Sequence, residues 1–249
     1  NLPWLLCCLG LLAAFYGQAR AAGSTVLTAT VFTYMLVSMP LLGTHVALAG
    51  YADLFLGAVY CAAIMAFHNW SLTRGRGQGM LAVFFALCCP LVKNEGLFWL
   101  LTFIPGLMVL LLPARRALTL LAAGLVVLAV GLLLIPSDLA VAGHSLGNLN
   151  LGYRPGALAG IATSLWVQDN WHLLGYVLLA LPPLVLVLRR SNSGKLTLVT
   201  ATLLSATILF LFLFLFTRYS AGAVGFTAVG RISLHLIPAL TFFCLLLWH

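Results

Sequence analysis

The sequence predicts an all-α fold, a polytopic membrane helical bundle, and three observations predict it. Of 249 residues, 63% are hydrophobic and only 6% are charged, where a soluble domain carries about 25% charged residues. The apolar residues come in runs of about 20, the length of a membrane-crossing helix, rather than alternating over about 10 as barrel strands do. The polar residues fall between those runs in short clusters, as loops do.

Taken in order, the apolar segments are nine: 3–18, 24–43, 54–72, 79–92, 96–112, 117–135, 172–188, 196–216 and 232–248. They read as transmembrane or re-entrant helices of one domain, 1–249. The fourth and fifth are short enough to form a helical hairpin that does not fully cross. The loops alternate in character. Arg20, Arg74, Arg76, Arg115, Arg116, Arg189, Arg190 and Lys195 occupy one set, which the positive-inside rule makes cytoplasmic. The four acids, Asp53, Glu95, Asp138 and Asp169, and the remaining bases, Lys93, Arg154, Arg218 and Arg231, fall in the other set. Both signs of charge therefore converge on the non-cytoplasmic face. The one long loop, 136–171, is expected there, with a short interfacial helix near 156–167 and with Trp166 and Trp171 at headgroup depth.

Composition also excludes. The net charge of +8 comes from dispersed loop clusters, which argues against nucleic-acid binding. Cys7, Cys8, Cys61, Cys88, Cys89 and Cys244 sit inside apolar runs without ligand spacing and read as small apolar residues. No Walker loop, Rossmann glycine pattern, HExxH or paired D-x-D acids occur, which disfavours a soluble nucleotide donor.

Three stretches carry candidate chemistry. In GYADLFLGAVY, Asp53 heads the third span. It is either a helix N-cap or an outer-face general base, with His45 and Tyr51 just upstream as acceptor contacts. In PLVKNEG, Lys93 and Glu95 lie at a turn between two short helices. They are either a polar turn reaching for water, or a phosphate-binding Lys and an assisting acid. In GRISLHLIPAL, Arg231 and His235 share a helical face at i, i+4. Arg231 is either a snorkelling helix-end Arg or a fork for a phosphate, with Arg218 on the same rim. Arg154 is a further contact from the long loop.

The order of these motifs resembles the GT-C class of integral membrane glycosyltransferases, closest to the protein O-mannosyltransferase and aminoarabinose-transferase branch. The resemblance implies transfer of a sugar from a polyprenyl-phosphate donor to a glycan, lipid or protein acceptor at the outer face. It implies catalytic roles for Asp53 and Glu95, and donor-phosphate contacts from Lys93, Arg231, His235 and Arg218. It names no certain cofactor and leaves a divalent metal open. The expected setting is a bacterial inner (plasma) membrane. The family's principal acid lies in a first outer loop, and no acid precedes Asp53. The chain therefore reads as an N-terminally truncated fragment, inactive alone. The readings that compete are a transporter, a non-catalytic membrane scaffold or assembly partner, and an outer-face glycan polymerase or ligase leaning on Arg154 and His144.

Overall fold

The computed structural model describes residues 1–134, 140–141, 144–145, 149–188 and 196–249. Asp138, Arg189, Arg190 and Lys195 lie outside the described residues, as does the His144 side chain. The protein is helical, and the only strand pairing among the described residues joins Ala140–Val141 to His144–Ser145. The helices are α1 (Leu2–Ala21), α2 (Val26–Val37), α3 (Pro40–Ala47), α4 (Asp53–Thr73), α5 (Arg76–Val92), α6 (Gly96–Leu101), α7 (Phe103–Leu111), α8 (Ala114–Leu134), α9 (Gly156–Ala162), α10 (Leu174–Leu188), α11 (Thr197–Phe216), α12 (Ser220–Val224) and α13 (Val229–Trp248).

The expected nine transmembrane or re-entrant helices are corrected: among the described residues, five helices are long and apolar enough to cross a membrane, α1, α4, α8, α11 and α13. A bent pair, α2 and α3, makes a sixth if counted as one span. Each expected segment is helical, but length decides. At 1.5 Å per residue, the 17 residues of α5 fall short of a hydrocarbon core about 30 Å thick. The α6–α7 pair and α10 are likewise short. The 24–43 run bends by 60° at Ser38–Met39. Pro40 lacks an N–H and pushes the residue before it out of the helical region, and Met39 is extended (φ −65°, ψ 120°).

Burial ranks the helices. In α13 and α4, 72% and 61% of the span is buried, against 6% in α8. The first two are the centre of the bundle, and α8 is its exposed periphery. Small residues explain the central pair, because they let helix backbones approach closely. A Cβ on Gly57 would lie 2.7 Å from the Leu234 carbonyl oxygen of α13. That carbonyl lacks its intrahelical donor because residue 238, four positions on, is proline. Gly57 has no Cβ to hold the two backbones apart there. Gly57 is one helical turn from Asp53, so the crossing brings the head of α4 to the head of α13.

The charged ends sort. Asn69 donates to Gln18 at 2.7 Å and Arg74 to the Leu110 carbonyl at 3.2 Å. The Arg20, Arg74 and Arg115 ends of their helices therefore meet at one end of the bundle. At the opposite end of α4, Asp53 meets Lys93 and Arg231. The helix expected near 156–167 is present as α9 and a continuing π turn, Thr163–Val167. Trp171, at the end of the same loop, is fully buried in the protein.

Gly57→Val is expected to lower the melting temperature in detergent, with overpacking worth about 1–3 kcal/mol. Gly124→Ala in α8, where a Cβ meets nothing within 4 Å, is expected to leave melting unchanged or raise it. Equal melting curves for the two variants would contradict the close α4–α13 crossing.

Candidate functional site

Asp53 is fully buried, and its side chain is no N-cap. Ala52 is the cap residue, and no side-chain capping bond forms. The carboxylate instead gathers groups from three other elements. The Lys93 ammonium donates to Oδ1 at 2.6 Å, and His235 Nε2 meets the same oxygen at 2.8 Å. Arg231 Nε donates to Oδ2 at 3.2 Å, and His45 Nε2 stands 4.0 Å from Oδ2. Glu95 lies 3.2 Å from the Lys93 ammonium. Two cations and two carboxylates balance in formal charge, which an interior needs if charges are to be held there at all.

Hydrogen-bond chemistry fixes the tautomers. The Trp99 indole can only donate, and it lies 3.0 Å from His235 Nδ1. His235 Nδ1 is therefore the acceptor, Nε2 carries the proton, and Nε2 donates to Asp53. Thr102 Oγ1 donates to the Trp99 carbonyl at 2.6 Å, so its single proton is used. Tyr60, 2.9 Å away, is then the donor of that pair. Ser205 of α11 stands 2.8 Å from both the Thr102 and the Thr202 carbonyls, which share its one proton. An oriented chain thus runs from Tyr60 through Thr102 and Trp99 to His235 and Asp53.

Local sequence sets each position. Pro90 removes a backbone donor near the end of α5, and Lys93 breaks the helix in an extended conformation. Gly96 permits the reversal into α6, because a Cβ there would collide with the Cys89 carbonyl. In the loop before α4, Gly50 has φ +124°, a region favouring glycine. Trp4 of α1 donates to the Tyr51 carbonyl at 2.9 Å and holds that loop. The Arg231 guanidinium lies 4.7 Å from the Tyr51 ring centre, a cation–π contact.

Of the nine residues singled out from the sequence, Asp53, Lys93, Glu95, Arg231, His235, His45 and Tyr51 come together here. Arg218 and Arg154 do not bond to this cluster. Arg218 lies over the Tyr219 ring at 5.4 Å, and Arg154 donates to the Asn150 carbonyl at 3.3 Å. Their backbones join two other stretches, Arg154 N to the Leu215 carbonyl and Arg218 N to the Leu149 carbonyl, each at 2.8 Å. Trp99 and Gly57 were missed. Trp99 carried a signal, since an indole in an apolar helix needs an acceptor, and His235 is one. Among the described residues, no group of three or more His, Cys, Asp or Glu side chains is arranged to hold a metal.

Comparison of the chain with protein-family models, curated proteins and solved structures gives no match.

Asp53→Asn leaves Lys93 and Arg231 without their shared counter-charge, and is expected to destabilise by about 3–5 kcal/mol. The reading is detergent melting. A second substitution, Lys93→Met, is expected to recover part of the loss, and strict additivity of the two would argue against the pair. Trp99→Phe removes the donor that sets the His235 tautomer, and is expected to mix the two tautomers in the nitrogen NMR spectrum of labelled histidine. An unchanged His235 signal would refute the assignment.

Proposed function

We propose that the full-length protein is a glycosyltransferase that moves a sugar from a polyprenyl-phosphate donor to an acceptor at the non-cytoplasmic membrane face. One observation carries this reading: Arg231 spends only its Nε on Asp53. Its Nη groups find no acceptor among the described residues, and its side chain is 40% exposed. Oriented by Asp53 and stacked on Tyr51, that guanidinium edge is a pre-aimed fork for a phosphate. Lys93, 19% exposed, adds a second cation on the same carboxylate. A lipid-phosphate sugar carries its own leaving group, so the chemistry needs fixed donors for the departing phosphate. The apolar flanks of the helices suit a prenyl tail. Both cations open toward the end of the bundle opposite Arg74, which fits an outer-face site if the Arg20, Arg74 and Arg115 end is cytoplasmic.

A second reading, a non-catalytic membrane scaffold, is favoured by one feature. Asp53 Oδ1 already accepts two donors, so the cluster serves equally as a pin between α4, α5 and α13.

Membranes containing the full-length protein, supplied with radiolabelled polyprenyl-phosphate glucose, mannose and galactose, separate the two. Transfer of label by the wild type is expected. In Arg231→Lys, donor KM is expected to rise at least about tenfold with a smaller change in kcat, because a point charge does not replace the fork. No transfer from any carrier sugar, with the protein folded, favours the scaffold.

A further inference from the structure

Two arginines stand at the end of α11, outside the Asp53 cluster, and backbone pairing puts them together. Arg218 N donates to the Leu149 carbonyl and Arg154 N to the Leu215 carbonyl, each at 2.8 Å. The Arg154 guanidinium reaches back to the Asn150 carbonyl at 3.3 Å, one residue from the carbonyl that takes Arg218 N. Arg218 is exposed and Arg154 partly so. Arg218 lies over the Tyr219 ring at 5.4 Å, a contact that spends none of its N–H donors. Among the described residues no acid pairs with either arginine: Asp53 and Glu95 pair with Lys93, and Asp169 with His172.

An apolar track leads up to the pair. Leu204, Ile208, Phe212 and Phe216 follow at four-residue steps along one side of α11. Leu204 and Ile208 are 57% and 58% exposed, whereas Phe210 and Phe214 are buried. The Phe212 and Phe216 rings stack at 5.9 Å, and the Phe216 ring lies 5.5 Å from that of Tyr153. Tyr153 immediately precedes Arg154, and Arg218 comes just after Phe216 and Thr217. The 20 residues of α11 rise about 30 Å, the thickness of a hydrocarbon core. The chain therefore leaves the apolar layer near Phe216, and the two arginines stand at headgroup level.

We propose that this side of α11 holds one anionic phospholipid, with its phosphate on Arg154 and Arg218 and an acyl chain along the Phe216–Phe212 track. Guanidinium groups suit a phosphate. Charge selects the headgroup class. Two cations with no carboxylate beside them attract a net negative headgroup, whereas the ammonium of a zwitterionic headgroup finds no partner there. The site shares no residue with the Asp53 cluster, and it stands whether or not the protein transfers a sugar.

The test is native mass spectrometry of the full-length protein in detergent, titrated with phosphatidylglycerol or with phosphatidylcholine. Wild type is expected to bind the first phosphatidylglycerol at least about tenfold more tightly than phosphatidylcholine. In Arg154→Gln/Arg218→Gln that preference is expected to fall to about twofold or less. The two backbone pairings use main-chain N–H groups, which glutamine keeps. Arg154→Lys/Arg218→Lys keeps the charge and is expected to hold at least about half of the preference, which separates lost charge from misfolding. Arg115→Gln/Arg116→Gln, at the opposite end of the bundle, is expected to change nothing. Equal binding of the two lipids by wild type overturns the proposal and leaves the arginines as side chains that reach for water. Full preference in the glutamine variant overturns it too, as does an equal loss in the lysine variant or in the Arg115/Arg116 variant. Displacement of the lipid by inorganic phosphate assigns the pair to a free anion, and displacement by polyprenyl phosphate assigns it to the donor; either result removes the phospholipid.

Discussion

A carboxylate at the head of a membrane helix, with no access to water, is the constraint around which the protein is organised. Asp53 is fully buried, and an isolated charge there would cost several kcal/mol. The chain meets that cost with Lys93, Arg231 and His235, drawn from α5, α13 and the indole-anchored chain behind them. The demand then propagates. Arg231 and His235 can reach Asp53 only if α13 lies against α4, and that approach requires Gly57. Lys93 can reach it only if α5 ends abruptly and α6 turns at once, which requires Pro90 and Gly96. The central packing of the bundle thus follows in large part from one acid.

The same arrangement leaves its cations only partly engaged. Asp53 gives Oδ1 to Lys93 and His235 and Oδ2 to Arg231. Arg231 gives its Nε to the carboxylate, while its guanidinium lies against the Tyr51 ring and its side chain stays part exposed. The cluster is thus balanced in formal charge without using up every donor of its cations.

Much of this was legible in the sequence, for physical reasons. Charged residues in an apolar chain are too costly to be incidental, so Asp53, Lys93, Glu95 and Arg231 stood out, and the i, i+4 spacing tied His235 to Arg231. The helices were equally visible as apolar runs. The span count was not, because hydropathy reports where apolar residues lie and not how far a helix continues. Pro40 bends one run, Thr102 interrupts another, and α5 stops at Lys93. Nor was the inward side of each helix legible, since α4 and α8 are both apolar all round and only packing distinguishes them. Trp99 stayed hidden for that reason, as one aromatic among many. Arg154 and Arg218 looked like further site cations, yet their backbones tie the 149–154 stretch to the end of α11.

The order in which the partners of Asp53 are synthesised has a consequence for biogenesis. Lys93 follows it by 40 residues and Arg231 by 178. At about 5–20 residues per second, the lysine emerges within seconds, whereas the arginine arrives on the order of ten seconds or more later. The α4–α5 hairpin is thus the first unit able to enter the bilayer with its acid neutralised. Lys93 serves as interim counter-ion until α13 is made and docks, closing the ring of charges that α4 opened.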